Sequence, residues 1–261
     1  LRQPEIHVRT LLDLGAGPGT TLWAAAKLFP DLQRVTLVER DGGLIDLGKR
    51  LSADAGFSFQ SHWTAEDLRE YSGEEHDAVV LSYVIGELEQ DALQQLLERA
   101  WMATAQVLAI VEPGTPDGYR RMIAAREFLI SAGASLAAPC PHQKECPMLS
   151  RPGEWCHFAA RVERTAVHRR IKGGRLGHED EKFSYAIFSR QSVERAEARI
   201  VRHPLKHKGH TQLELCASEG LKRETITRKA GALYRAARAA QWGDAWDENA
   251  ETLQVPDLRT P

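Results

Sequence analysis

The chain has 261 residues, 43% of them hydrophobic and 27% charged. That is ordinary globular composition, which excludes collagen-like, mucin-like and wholly disordered chains. A chain this long buries a core without disulfide staples, as one large domain or two small ones, and it holds no apolar run near the 18 residues of a membrane helix. The net charge of −2 hides an asymmetry. Residues 1–135 hold 12 Lys and Arg against 20 Asp and Glu, a balance of −8, while residues 136–261 hold 22 against 16, a balance of +6. A polyanion would dock on the basic back half; the plain alternative is a solvated surface. The chain starts at Leu1 and enters a strand almost at once. An N-terminal part, with any targeting segment, is therefore expected to be missing.

The front half alternates strands and helices. Thr10–Leu14 is an apolar strand, followed by a helix from Thr21 to about Phe29 that Pro30-Asp31 stops. Arg34–Glu39 is the next strand and Gly42–Ala53 the next helix. Phe57–Trp63, Asp77–Leu81 and Gln106–Val111 read as further strands; Glu89–Ala103 and Arg120–Gly133 read as helices. This alternation predicts an α/β fold with a doubly wound parallel sheet, whose ligands sit beyond the carboxyl ends of the strands.

The first strand runs into Asp13-Leu14-Gly15-Ala16-Gly17-Pro18-Gly19-Thr20 and a helix follows. Glycine permits this tight turn and lets a ligand approach the backbone, and the helix start adds free N–H groups. A dinucleotide fingerprint would need glycine where Thr20 stands. The Gly15-x-Gly17-x-Gly19 form with its leading acid, Asp13, resembles the S-adenosylmethionine loop of class I methyltransferases. Glu39 ends the second strand 20 residues after Gly19, where an acid accepts both ribose hydroxyls. Asp67 is a candidate to flank the adenine. After the fourth strand, Ser82 and Tyr83 are candidates to touch cofactor or methyl acceptor. No Asn/Asp-Pro-Pro-aromatic signature and no cysteine nucleophile stands there, so no catalytic base is named.

Four cysteines, Cys140, Cys146, Cys156 and Cys216, all lie in the back half at gaps of five, nine and 59 residues. Four soft ligands match the count of a cysteine-only Fe–S or zinc site, and the spacing is not that of Cys-x2-Cys zinc knuckles. Two disulfides, or four unrelated buried thiols, are the alternatives.

Together these features resemble one family, the methyltransferase-like proteins of the mitochondrial small ribosomal subunit (the ribosomal small-subunit protein twenty-two type, with bacterial relatives). The resemblance is carried by LDLGAGPGT at Leu12–Thr20, SYVIGEL at Ser82–Leu88, VEPGTPDG at Val111–Gly118, PCPHQKECP at Pro139–Pro147, WCHF at Trp155–Phe158, EDEKFSY at Glu179–Tyr185 and LELC at Leu213–Cys216. It implies a class I methyltransferase fold and a [4Fe–4S] site on the four cysteines, with zinc as the alternative. It also implies association with the small subunit and its ribosomal RNA, as a monomer apart from that particle. The setting would be the cytoplasm of a bacterium or the mitochondrial matrix of a eukaryote, with no membrane partner. Methyl transfer to ribosomal RNA, a non-catalytic assembly role and small-molecule methylation beside a structural metal all stay open.

On this reading residues 1–135 form the cofactor-binding core and 136–182 a cysteine-rich insert. Residues 183–246 supply the final strands and a helix over Ala232–Trp242, and 247–261 a disordered tail. Lys182–Ser189 and Thr211–Cys216 are expected to close the main sheet, with Cys216 on its last strand. Arg199–Lys229 holds eight Lys and Arg against three Asp and Glu. Lys206, Lys208, Lys222 and Arg223 are the candidate phosphate contacts.

Overall fold

The computed structural model describes residues 6–247, so most of the tail expected at 247–261 lies outside the described residues. Contacts divide the chain into two compact units. One holds the chain up to Pro139 together with Gly153–Glu194; the other holds Cys140–Pro152 together with the chain from Arg195 onward.

The first unit runs β1 (Thr10–Leu14), α1 (Thr21–Leu28), β2 (Arg34–Glu39), α2 (Gly42–Ser52), β3 (Gln60–Ala65), β4 (His76–Ser82), α3 (Gln90–Met102), β5 (Thr104–Pro113), α4 (Pro116–Ser131), β6 (Ser135–Ala138), β7 (Phe158–Glu163), α5 (Ala166–Lys172) and β8 (His178–Ser189). The strand order is β3-β2-β1-β4-β5-β8-β6, with β7 also paired to β8. Strands β3 to β5 are mutually parallel. β8 runs antiparallel to β5, β6 and β7. The chain order reverses between β1 and β4, the switch point of a doubly wound sheet, so the crevice opens at the carboxyl ends of those strands. The parallel centre is buried on both faces, which is why its strands read as continuous apolar runs. Leu11, Leu12 and Leu14 of β1, Val35, Leu37 and Val38 of β2, and Val79 and Leu81 of β4 are at most 1% exposed. This is a doubly wound, Rossmann-like α/β fold.

Local chemistry sets the helix starts nearest the crevice. The Asp41 side chain accepts the Leu44 N–H at the start of α2, and the Thr115 hydroxyl accepts the Gly118 N–H at the start of α4 beside Pro116. The strand expected at Phe57–Trp63 lies three residues later at its start. Pairing with β2 begins at Arg34 opposite Gln60, while Phe57 stacks on Phe59 at 4.9 Å and meets Trp23 edge-on.

The second unit holds β9 (Ala198–Ile200), β10 (Leu205–Lys206), β11 (His210–Ala217), β12 (Gly220–Thr227), α6 (Ala232–Ala239) and β13 (Ala245–Trp246). Its antiparallel sheet is ordered β10-β11-β9-β13, with β12 paired along the full length of β11. Leu213, Leu215, Ile200, Ile226, Ala237 and Trp246 form its own apolar core. The main sheet takes in the expected Lys182–Ser189 as part of β8, but Thr211–Cys216 belongs to this second sheet, a correction to the expected closure. The cause is the tight hairpin at Ser218-Glu219, which commits β11 to its local partner β12 and leaves the β5 edge to β8.

The stretch 136–182, read as one insert, is shared between the units. Residues 140–152 join the second sheet through polar ties. Lys144 Nζ donates to the Ser218 carbonyl at 3.0 Å, Arg151 pairs with Glu214, and Arg195 donates to Gln143.

Candidate cofactor cavity and cysteine-bearing segment

A cavity of about 500 Å³ opens at the switch point, lined by the glycine loop, the ends of β2 and β4 and the stretch after β3. The loop is pinned from below: the Gly15 and Ala16 N–H groups donate to the Val38 carbonyl at 2.9 and 3.0 Å. Gly15, Gly17 and Gly19 all have positive φ, at +77°, +53° and +77°. A Cβ on Gly15 would stand 2.5 Å from Val84 Cγ2, whereas one on Gly17 would meet nothing within 4 Å. Gly15 is thus held by packing, and Gly17 turns bare backbone toward open space where a ligand can lie against it.

Glu39 performs a second task that its spacing did not reveal. Its Oε2 accepts the Gly17 N–H and its Oε1 the Asp41 N–H, both at 2.9 Å. The carboxylate therefore braces the loop as well as facing the cavity. Asp13 is 1% exposed, and burial, opposed by a hydrogen bond from Thr21 and reinforced by the Glu39 charge, pushes its pKa up to about 7. Asp67 sits on the cavity wall, and the Arg69 guanidinium that grips it holds its carboxyl well below the usual range. Ser82 and Tyr83 line the rim after β4. Tyr83 has φ +59°, unusual for a bulky residue, and its N–H donates to the Val111 carbonyl at 2.8 Å. The structure therefore brings Asp13, Gly15, Gly17, Glu39, Asp67, Ser82 and Tyr83 to one cavity. Gly19 completes the turn beneath it, its N–H donating to the Ala16 carbonyl.

Sequence reasoning missed Glu112. It lies 1% exposed at the end of β5, and its Oε1 accepts the Ile85 N–H at 3.1 Å. Burial pushes its pKa up, against the Val84–Gly86 amides and Arg121, which favour the charged form. It holds the turn that presents Tyr83. The only signal in the sequence is a carboxylate at the end of an apolar strand, just before Pro113-Gly114.

Asp13 also sets a pH dependence. Its folded pKa stands above its ordinary value of 3.8, so the folded state holds the proton more tightly. Its contribution to stability is fully present below pH ~4 and is lost as pH rises through about 7. Asp13→Asn is expected to melt higher than the parent at pH 8, by about 2–4 °C for each kcal/mol relieved, with the gain shrinking toward pH 4. Thermal melts across that range check it; a gain unchanged by pH contradicts it.

Cys140 and Cys146 lie partly exposed on the segment that joins the second sheet, and Cys216 is buried on β11. Cys216 Sγ stands 3.7 Å from His142 Nε2, so within this unit the segment and the strand meet at a thiol and an imidazole. Cys156 belongs to the first unit, where its carbonyl accepts the Ser184 hydroxyl at 2.9 Å. Among the described residues no three His, Cys, Asp or Glu side chains are gathered closely enough to hold a metal ion. Thiols with an adjacent imidazole remain the donor chemistry that suits a soft metal or an iron–sulfur cluster.

The candidate phosphate contacts are dispersed. Lys206 and Lys208 are exposed at and beyond β10. Lys222 and Arg223 are consecutive on β12 and so point to opposite faces, with Lys222 3.7 Å from Glu219 and Arg223 3.8 Å from Glu214. No helix among the described residues is long and apolar enough to cross a membrane.

The chain is 28% identical over 263 residues to the mitochondrial ribosome assembly protein METTL17 of Homo sapiens, covering 93% of this chain and 56% of that protein. It is 24% identical to the mitochondrial ribosome assembly protein RSM22 of Saccharomyces cerevisiae, covering 44% of this chain and 29% of that one. It is 25% identical to the mitochondrial Rsm22-cox11 tandem protein 2 of Schizosaccharomyces pombe, covering 90% and 38%. The chain thus spans about half, or less, of the length of these curated relatives. The match to the family model described as mitochondrial small ribosomal subunit Rsm22 runs over residues 1–247, and the chain belongs to that family.

Proposed function

We propose that this chain binds S-adenosylmethionine in the switch-point cavity and acts in assembly of the small ribosomal subunit, contacting its RNA through the basic back half. The observation that carries the reading is the cavity itself. About 500 Å³ lies against a glycine loop with open space at Gly17, beside the Glu39 carboxylate that ends β2. Those residues fit an adenosyl ligand. Gly15–Gly19 would pass its methionine portion, Glu39 would accept its ribose hydroxyls, and Asp67 would stand beside its adenine. When bound, the cofactor supplies an activated methyl group. The chain's own residues bind and orient it, and Tyr83 and Ser82 form the rim on the acceptor side. The ribosomal role rests on the family and on relatives that are named as ribosome assembly proteins.

The reading also includes a [4Fe–4S] cluster on Cys140, Cys146, Cys156 and Cys216, with zinc as the alternative. Support comes from the family resemblance, from the donor chemistry, and from the grouping of three of these thiols in one unit. Methyl transfer to ribosomal RNA is the second reading, favoured by the strained presentation of Tyr83 at the rim. A bacterial relative would work in the cytoplasm and a eukaryotic one in the mitochondrial matrix.

Titration calorimetry with S-adenosylmethionine tests the cofactor. Binding to small-subunit ribosomal RNA, measured against salt concentration, tests the partner. Replacing Lys206 and Lys208 with alanine is expected to flatten the slope of log affinity against log salt by about 1–2. Replacing Lys222 and Arg223, already paired with Glu219 and Glu214, should flatten it less. An unchanged slope in the fourfold variant removes this surface from the interface.

A further inference from the structure

The cavity lining is strongly acidic. Glu39, Asp41, Glu66, Asp67 and Glu87 contribute five carboxylates, and Asp13 a sixth carboxyl group that burial holds partly protonated near neutral pH, against the two guanidiniums of Arg40 and Arg69. The Asp67–Arg69 pair largely cancels itself. What remains is a cavity of excess negative charge, partly walled by low-dielectric protein. The Asp13 carboxyl is itself unusual. Asp13 is 1% exposed, and its Oδ2 finds no hydrogen-bond partner among the described residues. A buried, unpartnered carboxylate oxygen on a cavity wall is costly unless a positive group arrives to face it.

Resting on the cofactor reading above, we infer that this cavity discriminates by charge between the methyl donor and its demethylated product, favouring the donor. S-adenosylmethionine carries a sulfonium, an ammonium and a carboxylate, and is a net cation. S-adenosylhomocysteine has lost the methyl group with the sulfonium charge, and is net neutral. The two are otherwise the same molecule, so uniform contacts to adenine, ribose and the amino acid cannot separate them. An acidic, partly enclosed wall can, because each uncancelled carboxylate attracts the donor and not the product. The same charge repels a phosphate backbone at the rim. The cavity is therefore better suited to holding the donor than to threading RNA past it.

Calorimetric competition on the full chain tests this with four probes: S-adenosylmethionine, S-adenosylhomocysteine, an analogue with a protonated amine in place of the sulfonium, and a neutral carbon-for-sulfur isostere that keeps the methyl. Both cationic probes are expected to bind at least about tenfold tighter than both neutral ones. Glu87→Gln, at an exposed rim position that the fold does not need, should narrow the gap several-fold, and Asp13→Asn should narrow it further. Product bound as tightly as donor, or an isostere bound as tightly as either cation, overturns the charge discrimination and leaves the cofactor site standing. If none of the four probes binds at millimolar concentration, the cofactor reading itself falls.

Discussion

Gly17→Arg is expected to abolish adenosyl-ligand binding while the protein stays folded. A Cβ at this position meets nothing within 4 Å, so the new side chain has room, but the room it takes is the cavity. The left-handed backbone at φ +53° adds a local cost of about 1–2 kcal/mol for a residue with a side chain, which lowers the melting temperature without unfolding the chain. Affinity should fall by more than about 100-fold, since the ligand must give up close contact with the loop. Glu39→Ala is the milder companion. It removes the hydroxyl acceptor and also releases the Gly17 and Asp41 N–H groups, so a loss of roughly 1–3 kcal/mol is expected. Calorimetry reads both. Parental affinity in Gly17→Arg would show that the ligand, if any, lies elsewhere.

Anaerobically purified protein is expected to be brown, with about four irons per chain, and Cys216→Ser to lose the colour. The same change should lower stability, because Cys216 is buried on β11 and faces His142 of the segment laid on that sheet. With the cluster gone, polar ties such as Lys144 to the Ser218 carbonyl, Arg151 to Glu214 and Arg195 to Gln143 still hold that segment. Those involve partly exposed groups and contribute little individually. The Arg151→Ala variant separates the two effects: it should keep iron and colour and lose only a little stability. Colourless anaerobic protein with one zinc selects the alternative metal. Metal-free protein with two disulfides ends the proposal.

The sequence by itself determined the elements that are buried on both faces and the loop between them. β1 and β2 lie at their expected bounds because a parallel central strand must be apolar throughout, and that run ends where the backbone leaves the core. Asp13, Gly15, Gly17 and Glu39 were legible because close backbone approach and a carboxylate after the second strand are local demands that leave fixed spacings. The family was legible in the motifs that carry it. Tertiary structure alone decided the rest. β12 carries Lys222, Arg223, Glu224 and Thr225 in succession, with no apolar alternation, and is a strand only because β11 offers it a full ladder across a tight hairpin. β3 shifted past Phe57 and Phe59 because their stacking partners and the β2 register outweighed local apolar content. Glu39 as a brace for Gly17, Glu112 under the Tyr83 turn, and the separation of Lys222 from Arg223 all depend on which backbone amides and carboxylates meet across tens of residues. Pairing between distant strands is a competition among partners. Its winner is set by the summed packing of both sheets, which no window of the chain contains.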